Sequence, residues 1–221
     1  MINILNNEYT IDEDWCKPYF EQYIKPNHKV AVVAFSCRDT LVKNLEDWNG
    51  LYSKESGKYY KGIVSTLASY GIIESNICFL NYFKDTKETA NKKIKEADMI
   101  YLPGGLPERM FERIKEFNIA EAIKEHNGIT LGFSGGAMIQ LSEYHVTPDK
   151  DYPSFKYYKG LALLDSFGIE VHFTDSAKQK ASIERFISEK RKPIYAIGDK
   201  GALIVDKGNV QKIGDVKIYS I

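Results

Sequence analysis

The sequence predicts an α/β protein of three layers, α/β/α, with a mostly parallel central sheet and a short antiparallel meander at its C-terminus. Three observations predict it. Short β-branched runs alternate with segments of helical spacing, the pattern of strands joined by crossover helices. The runs are continuously apolar, as strands buried on both faces are. The tail breaks into short apolar pieces divided by Lys207-Gly208 and Gly214-Asp215, as antiparallel strands joined by tight turns do.

The first strand expected is Lys29-Val-Ala-Val-Val-Ala-Phe35, followed by a helix over residues 53–70 that stops at Gly71. Ile77-Cys-Phe-Leu80 reads as the next strand, residues 87–97 as a short polar helix, and Met99-Ile-Tyr-Leu102 as a strand entering Pro103-Gly-Gly105. Residues 108–126 read as helix with a break near Asn118, Ile129-Thr-Leu-Gly-Phe133 as strand, and residues 135–144 as helix. Residues 151–158, rich in aromatic and polar side chains, read as a loop over the sheet. Ile169-Glu-Val-His-Phe173 and Ile194-Tyr-Ala-Ile197 are expected strands flanking a helix over residues 177–190. Ala202-Leu-Ile-Val205, Asn209-Val-Gln-Lys-Ile213 and Val216-Lys-Ile-Tyr219 form the meander. With no repeat, linker or low-complexity tract, residues 1–221 read as a single domain.

Composition narrows the function. The 30 Lys+Arg balance 30 Asp+Glu, so no excess of cations marks a nucleic-acid face. No apolar run approaches the ~20 residues that span a bilayer, and MINILNNEYTIDEDW lacks the basic start of a signal peptide. Cys16, Cys37 and Cys78 are odd in number and unpaired in spacing, against a disulfide framework or a cysteine zinc site. A cytoplasmic protein, monomer or homodimer, is expected. No His/Asp/Glu cluster has metal-ligand spacing and no glycine-rich segment makes a nucleotide fingerprint, so neither metal nor cofactor is expected.

The chemistry concentrates at Gly132-Phe133-Ser134-Gly135-Gly136, a G-x-S-x-G between an apolar strand and a helix-forming segment. A serine on so sharp a turn needs small neighbours, and the turn lifts Oγ above the carboxyl edge of the sheet. Ser134 is the candidate nucleophile and the N–H of Gly135 one oxyanion donor. Of four histidines, His145 lies too far along the expected helix, while His28 and His126 have structural explanations. His172, near a strand's carboxyl end, remains as the base. Its acid partner is Asp199, which ends another strand-like run, with Asp165 as the alternative. The turn Leu102-Pro-Gly-Gly-Leu-Pro107, after the adjacent strand, supplies the second oxyanion donor from its paired glycines.

These segments resemble the peptidase E (aspartyl dipeptidase) and cyanophycinase group of serine peptidases. The carriers are Pro103-Gly-Gly105, Gly132-Phe-Ser-Gly-Gly-Ala-Met138, Gly160-Leu-Ala-Leu-Leu164 leading to Val171-His-Phe173, and Ala196-Ile-Gly-Asp-Lys-Gly-Ala-Leu203. The resemblance implies a class I glutamine-amidotransferase-like fold with serine in place of cysteine. It implies Ser134 as nucleophile, His172 as base and Gly105 with Gly135 as oxyanion hole, with the triad's acid falling at Asp199 or Lys200. It also implies an arginine that binds an acidic substrate side chain, for which Arg185 is the nearest match. The expected activity is hydrolysis of small peptides, Asp-Xaa dipeptides among them, through an acyl-enzyme. An esterase of α/β-hydrolase type using Asp165, and a binding protein with a ruined triad, remain alternatives. An amidotransferase is disfavoured because no cysteine occupies the elbow.

Overall fold

The computed structural model describes residues 1–220. The strands are β1 (Ile2–Asn6), β2 (Val30–Val33), β3 (Ile77–Leu80), β4 (Met99–Leu102), β5 (Ile129–Phe133), β6 (Glu143–Val146), β7 (Lys156–Lys159), β8 (Gly168–Glu170), β9 (Ile194–Asp206) and β10 (Asn209–Tyr219). The α-helices are α1 (Lys17–Phe20), α2 (Leu45–Tyr52), α3 (Tyr60–Ala68), α4 (Lys87–Glu96), α5 (Pro107–Glu116), α6 (Ala120–Lys124), α7 (Gly135–Met138) and α8 (Ala177–Lys190).

The main sheet runs β10-β9-β1-β5-β4-β2-β3, with β8 added beside β9. From β1 to β3 every neighbour is parallel, so the carboxyl ends of β1, β5, β4 and β2 share one edge. Both faces are covered. Val30 and Val32 point to a core with Phe20, Trp48, Ile63 and Leu67, while Ala31 and Val33 point to one with Ile94, Met110, Ile114 and Ile123. That double burial explains why these strands carry no polar alternation.

Strand β1, which the sequence reading passed over, occupies the centre of the sheet between β5 and β9. Its alternation of Asn3 with Ile2 and Ile4 is interrupted by Leu5, and a five-residue run beside the terminus carries little periodic signal. Asn3 is nevertheless buried, donating to the Gln140 side chain.

Four other expectations change. Residues 135–144 are not one helix: α7 stops at Met138 and the chain re-emerges as β6. Buried Gln140, bonded to Asn3 and to the carbonyl of Ile4, holds this reversal. The expected loop over residues 151–158 contributes to β7, which pairs antiparallel with β6. The helix over residues 53–70 is confined to α3, preceded by a separate α2. The meander consists of two long strands: Lys207 and Gly208 turn with φ of 49° and 84°, whereas Gly214 marks a bulge inside β10.

The length of β9 builds the site. Its second half pairs antiparallel with β1, and its first half pairs parallel with β8. Strand β8 therefore runs against β1 and meets its carboxyl end head-on. The residues that follow both strands converge over Ser134.

Candidate active site

Ser134 follows β5 with φ 49° and ψ −115°, a conformation that costs a non-glycine residue about 1–3 kcal/mol. The surroundings hold it there. Its N–H donates to the carbonyl of Asn6, and its own carbonyl accepts from the N–H groups of Ala137 and Met138. The turn is too tight for larger neighbours, since a Cβ on Gly136 would stand 2.0 Å from the carbonyl oxygen of Leu102. The result is a serine whose Oγ projects above the sheet edge.

The Oγ lies 2.7 Å from Nε2 of His172. His172 falls beyond β8, not within a strand as expected, and takes φ 51°. Two side chains clamp its backbone. The N–H donates to Oδ1 of Asn7 at 2.7 Å, and the carbonyl accepts from Nε2 of Gln179 at 2.8 Å. Gln179, largely buried, also accepts from the N–H and hydroxyl of Thr174 and from the hydroxyl of Ser176, the residue that caps α8. Ring placement thus follows from a hydrogen-bonded loop rather than from a sheet ladder.

The carboxylate facing the other ring nitrogen is Glu8, whose Oε1 stands 3.3 Å from Nδ1. Asp199 does not take that place. Its Oδ1 accepts from Nδ2 of Asn7 at 3.4 Å, so it reaches His172 through the asparagine that holds the histidine's backbone. The reason is topological: Asp199 lies inside continuous β9, whereas Glu8 comes off the end of β1 beside Ser134. Ligand-type atoms of Glu8, His172 and Asp199 all lie within 4.8 Å of one another, and among the described residues no other His/Cys/Asp/Glu set has metal-binding spacing. Lys200 pairs with Glu13. Asp165 accepts from the hydroxyl of Ser142 and from Lys192, not from His172.

Gly105, at φ 128°, follows β4 and sits against Ser36, whose hydroxyl donates to the carbonyl of Gly104. The carbonyl of Gly105 touches Gly135, so the two loops meet beside the serine. Among the described residues neither the Gly105 nor the Gly135 N–H has an acceptor. Arg185 is elsewhere. Its guanidinium stacks 4.4 Å from the ring centroid of Phe155 and bonds to Glu189, and it does not line the cleft.

The site opens into a cleft of about 1630 Å³ that Ser134, His172, Glu8, Gly104, Gly105 and Gly135 all line. Sequence reasoning missed Glu8, Asn7 and Gln179. The only signal for the first two was that polar Asn6-Asn-Glu8 follows an apolar run. For Gln179 there was the capping position of Ser176 three residues earlier.

The model of peptidase family S51 matches residues 52–213. Two solved structures share the fold. One is a peptidase E candidate from Listeria monocytogenes EGD-e (16% identity, 96% of each chain covered, TM-score 0.64). The other is a peptidase from an acI-B1 Actinobacterium (15% identity, 99% of this chain and 93% of the other, TM-score 0.64). No curated protein matches the sequence. No helix among the described residues is long and apolar enough to cross a membrane. With the family model spanning most of the chain, and a serine on a strand-to-helix turn in contact with an imidazole, this protein belongs to peptidase family S51, the peptidase E-like serine peptidases.

Proposed function

We propose that the chain hydrolyses small peptides through a Ser134–His172–Glu8 triad and an acyl-enzyme. The observation that carries the reading is the 2.7 Å contact between Ser134 Oγ and His172 Nε2, with Glu8 on the far nitrogen. As Oγ attacks the scissile carbonyl, Nε2 takes its proton and the Glu8 carboxylate stabilises the imidazolium. The oxyanion is met by the Gly105 and Gly135 N–H groups, each of which is worth ~10²–10³ in kcat at sites of this kind. The C–N bond breaks as Nε2 returns the proton to the leaving amine. His172 then takes a proton from water, the hydroxide attacks the ester on Ser134, and the acid departs. Asp199 and Asn7 act as positioning residues for the His172 backbone.

Specificity for an N-terminal Asp loses its expected carrier, because Arg185 does not line the cleft. The test of the catalytic reading is direct. A fluorophosphonate probe should label the wild type and not Ser134→Ala, and the variant should fold normally while losing dipeptide hydrolysis. Equal labelling of both would remove Ser134 from the mechanism.

A further inference from the structure

We propose that the residue supplying the scissile carbonyl places a neutral aromatic or aliphatic side chain in a pocket walled by Tyr9, Leu41, Tyr52 and Tyr59. This rests on the reading of Ser134 as nucleophile and His172 as base.

Orientation comes first. His172 returns a proton to the leaving amine, so the leaving group lies on the β8 side of Ser134. Across the sheet the order is β9, β1, β5, β4, β2, so the acyl half extends the other way, over Gly105 toward the loop after β2. There the cleft is lined by Tyr9, Cys37, Leu41, Val42, Tyr52 and Tyr59. Tyr9 stacks on Phe133, the residue before the nucleophile, at 4.8 Å between centroids. Its phenol oxygen accepts from the N–H of Gly104 at 2.6 Å, which places the ring beside the oxyanion loop. The Tyr52 and Tyr59 rings are 5.7 Å apart, and Cys37 Sγ touches the Tyr52 hydroxyl.

Exposure is the second observation. Among the described residues six large hydrophobic side chains are exposed, and three of them line this one cleft: Tyr9 at 41%, Leu41 at 69% and Tyr59 at 42%. Apolar surface left open in the cleft that holds a nucleophile marks a place where something apolar docks.

Charge is the third. Burial raises the Cys37 thiol and the Tyr52 phenol, so the back of this wall, behind the exposed Tyr9, Leu41 and Tyr59 rim, is where a carboxylate would lose its hydration. The nearby arginines are engaged, Arg38 with Asp151 and Arg113 with Asp39 and the carbonyls of Phe35 and Cys37. Glu46 and Asp47 line the same arm and outnumber its cation Lys58, whose Nζ lies 5.3 Å over the Tyr59 ring, so the balance still disfavours an acid, while Lys178 belongs to α8 on the His172 side.

The test compares kcat/KM for Phe-Ala, Leu-Ala and Asp-Ala, with fluorophosphonate labelling of Ser134 run in parallel. Phe-Ala and Leu-Ala should exceed Asp-Ala at least about tenfold, and Tyr59→Ala or Leu41→Ala should narrow that ratio by about tenfold. Ser134-dependent hydrolysis that favours Asp-Ala, or a ratio unmoved by both substitutions, overturns the pocket and leaves the nucleophile standing. Absence of both labelling and hydrolysis overturns the two readings together.

Discussion

Replacing Glu8 with Gln separates the two carboxylates that surround His172. The Glu8 oxygen is 3.3 Å from Nδ1, close enough for its charge to act on the imidazolium formed during acylation. At that distance a pair of unit charges is worth about 1 kcal/mol in bulk water and about 5 kcal/mol at an effective dielectric of 20. The two side chains are 43% and 50% exposed, so solvent screening pulls the value toward the lower limit, about 1–3 kcal/mol. Glu8→Gln should therefore reduce kcat for dipeptide hydrolysis roughly 10- to 100-fold, less than the ~10⁴ reported by a fully buried triad acid. KM should change little, because the imidazolium exists only beyond the ground state. Asp199→Asn should cost markedly less: its hydrogen bond to Asn7 is long, and Asn7 can still accept from the His172 N–H. Steady-state kinetics on both variants, with circular dichroism to confirm folding, decides the matter. If Asp199→Asn is the more damaging of the two, the assignment of Glu8 as the imidazole's partner is wrong.

Arg185→Ala should leave dipeptide kcat/KM within about twofold of wild type, since exposed helix pairs contribute only ~0.3–0.5 kcal/mol and this one does not line the cleft. A larger loss in steady-state kinetics would restore Arg185 to the substrate site. Stability should fall as pH rises above about 10. Tyr52 and Tyr101 are buried phenols whose folded pKa values lie above 10, so in that range the folded state binds more protons than the unfolded chain. Each such group removes up to ~1.4 kcal/mol per pH unit until it titrates, and thermal unfolding at pH 8 and pH 11 should show a lower Tm at pH 11. An unchanged Tm would mean that these phenols are not held in a dry interior.

Some of this was legible in the residues and some was not, and the division follows interaction range. The β2, β4 and β5 runs are apolar on both faces because each is sandwiched between helices, so a local window carries the signal. The elbow was legible because its glycines answer a local steric demand, as the 2.0 Å approach at Gly136 demonstrates. The partner of His172 was not legible. Asp199 is the better candidate along the chain, following a strand and lying after the histidine. Glu8 wins in space because β1 is inserted between β5 and β9 and stops just short of Ser134.

That insertion has a consequence for how the site is held together. One tetrapeptide, Asn6-Asn7-Glu8-Tyr9, touches every part of it. The Asn6 carbonyl holds the Ser134 N–H, Asn7 holds the His172 N–H, Glu8 faces the imidazole, and Tyr9 accepts from the loop that carries Gly105. Nucleophile, base and oxyanion loop come from three separate strands, of which β5 and β4 pair directly while β8 pairs only with β9, so the base depends on this segment for its placement relative to the other two. The register of β1, with Ile2 opposite Ile129 and Asn6 opposite Phe133, sets all of these contacts at once. Because side chains alternate with period two, a one-residue slip would turn Glu8 away from His172 and Tyr9 away from Phe133. Buried Ile4 and Leu5, on opposite faces of the strand, oppose that slip, so packing at the start of the chain and geometry at its catalytic centre are the same constraint.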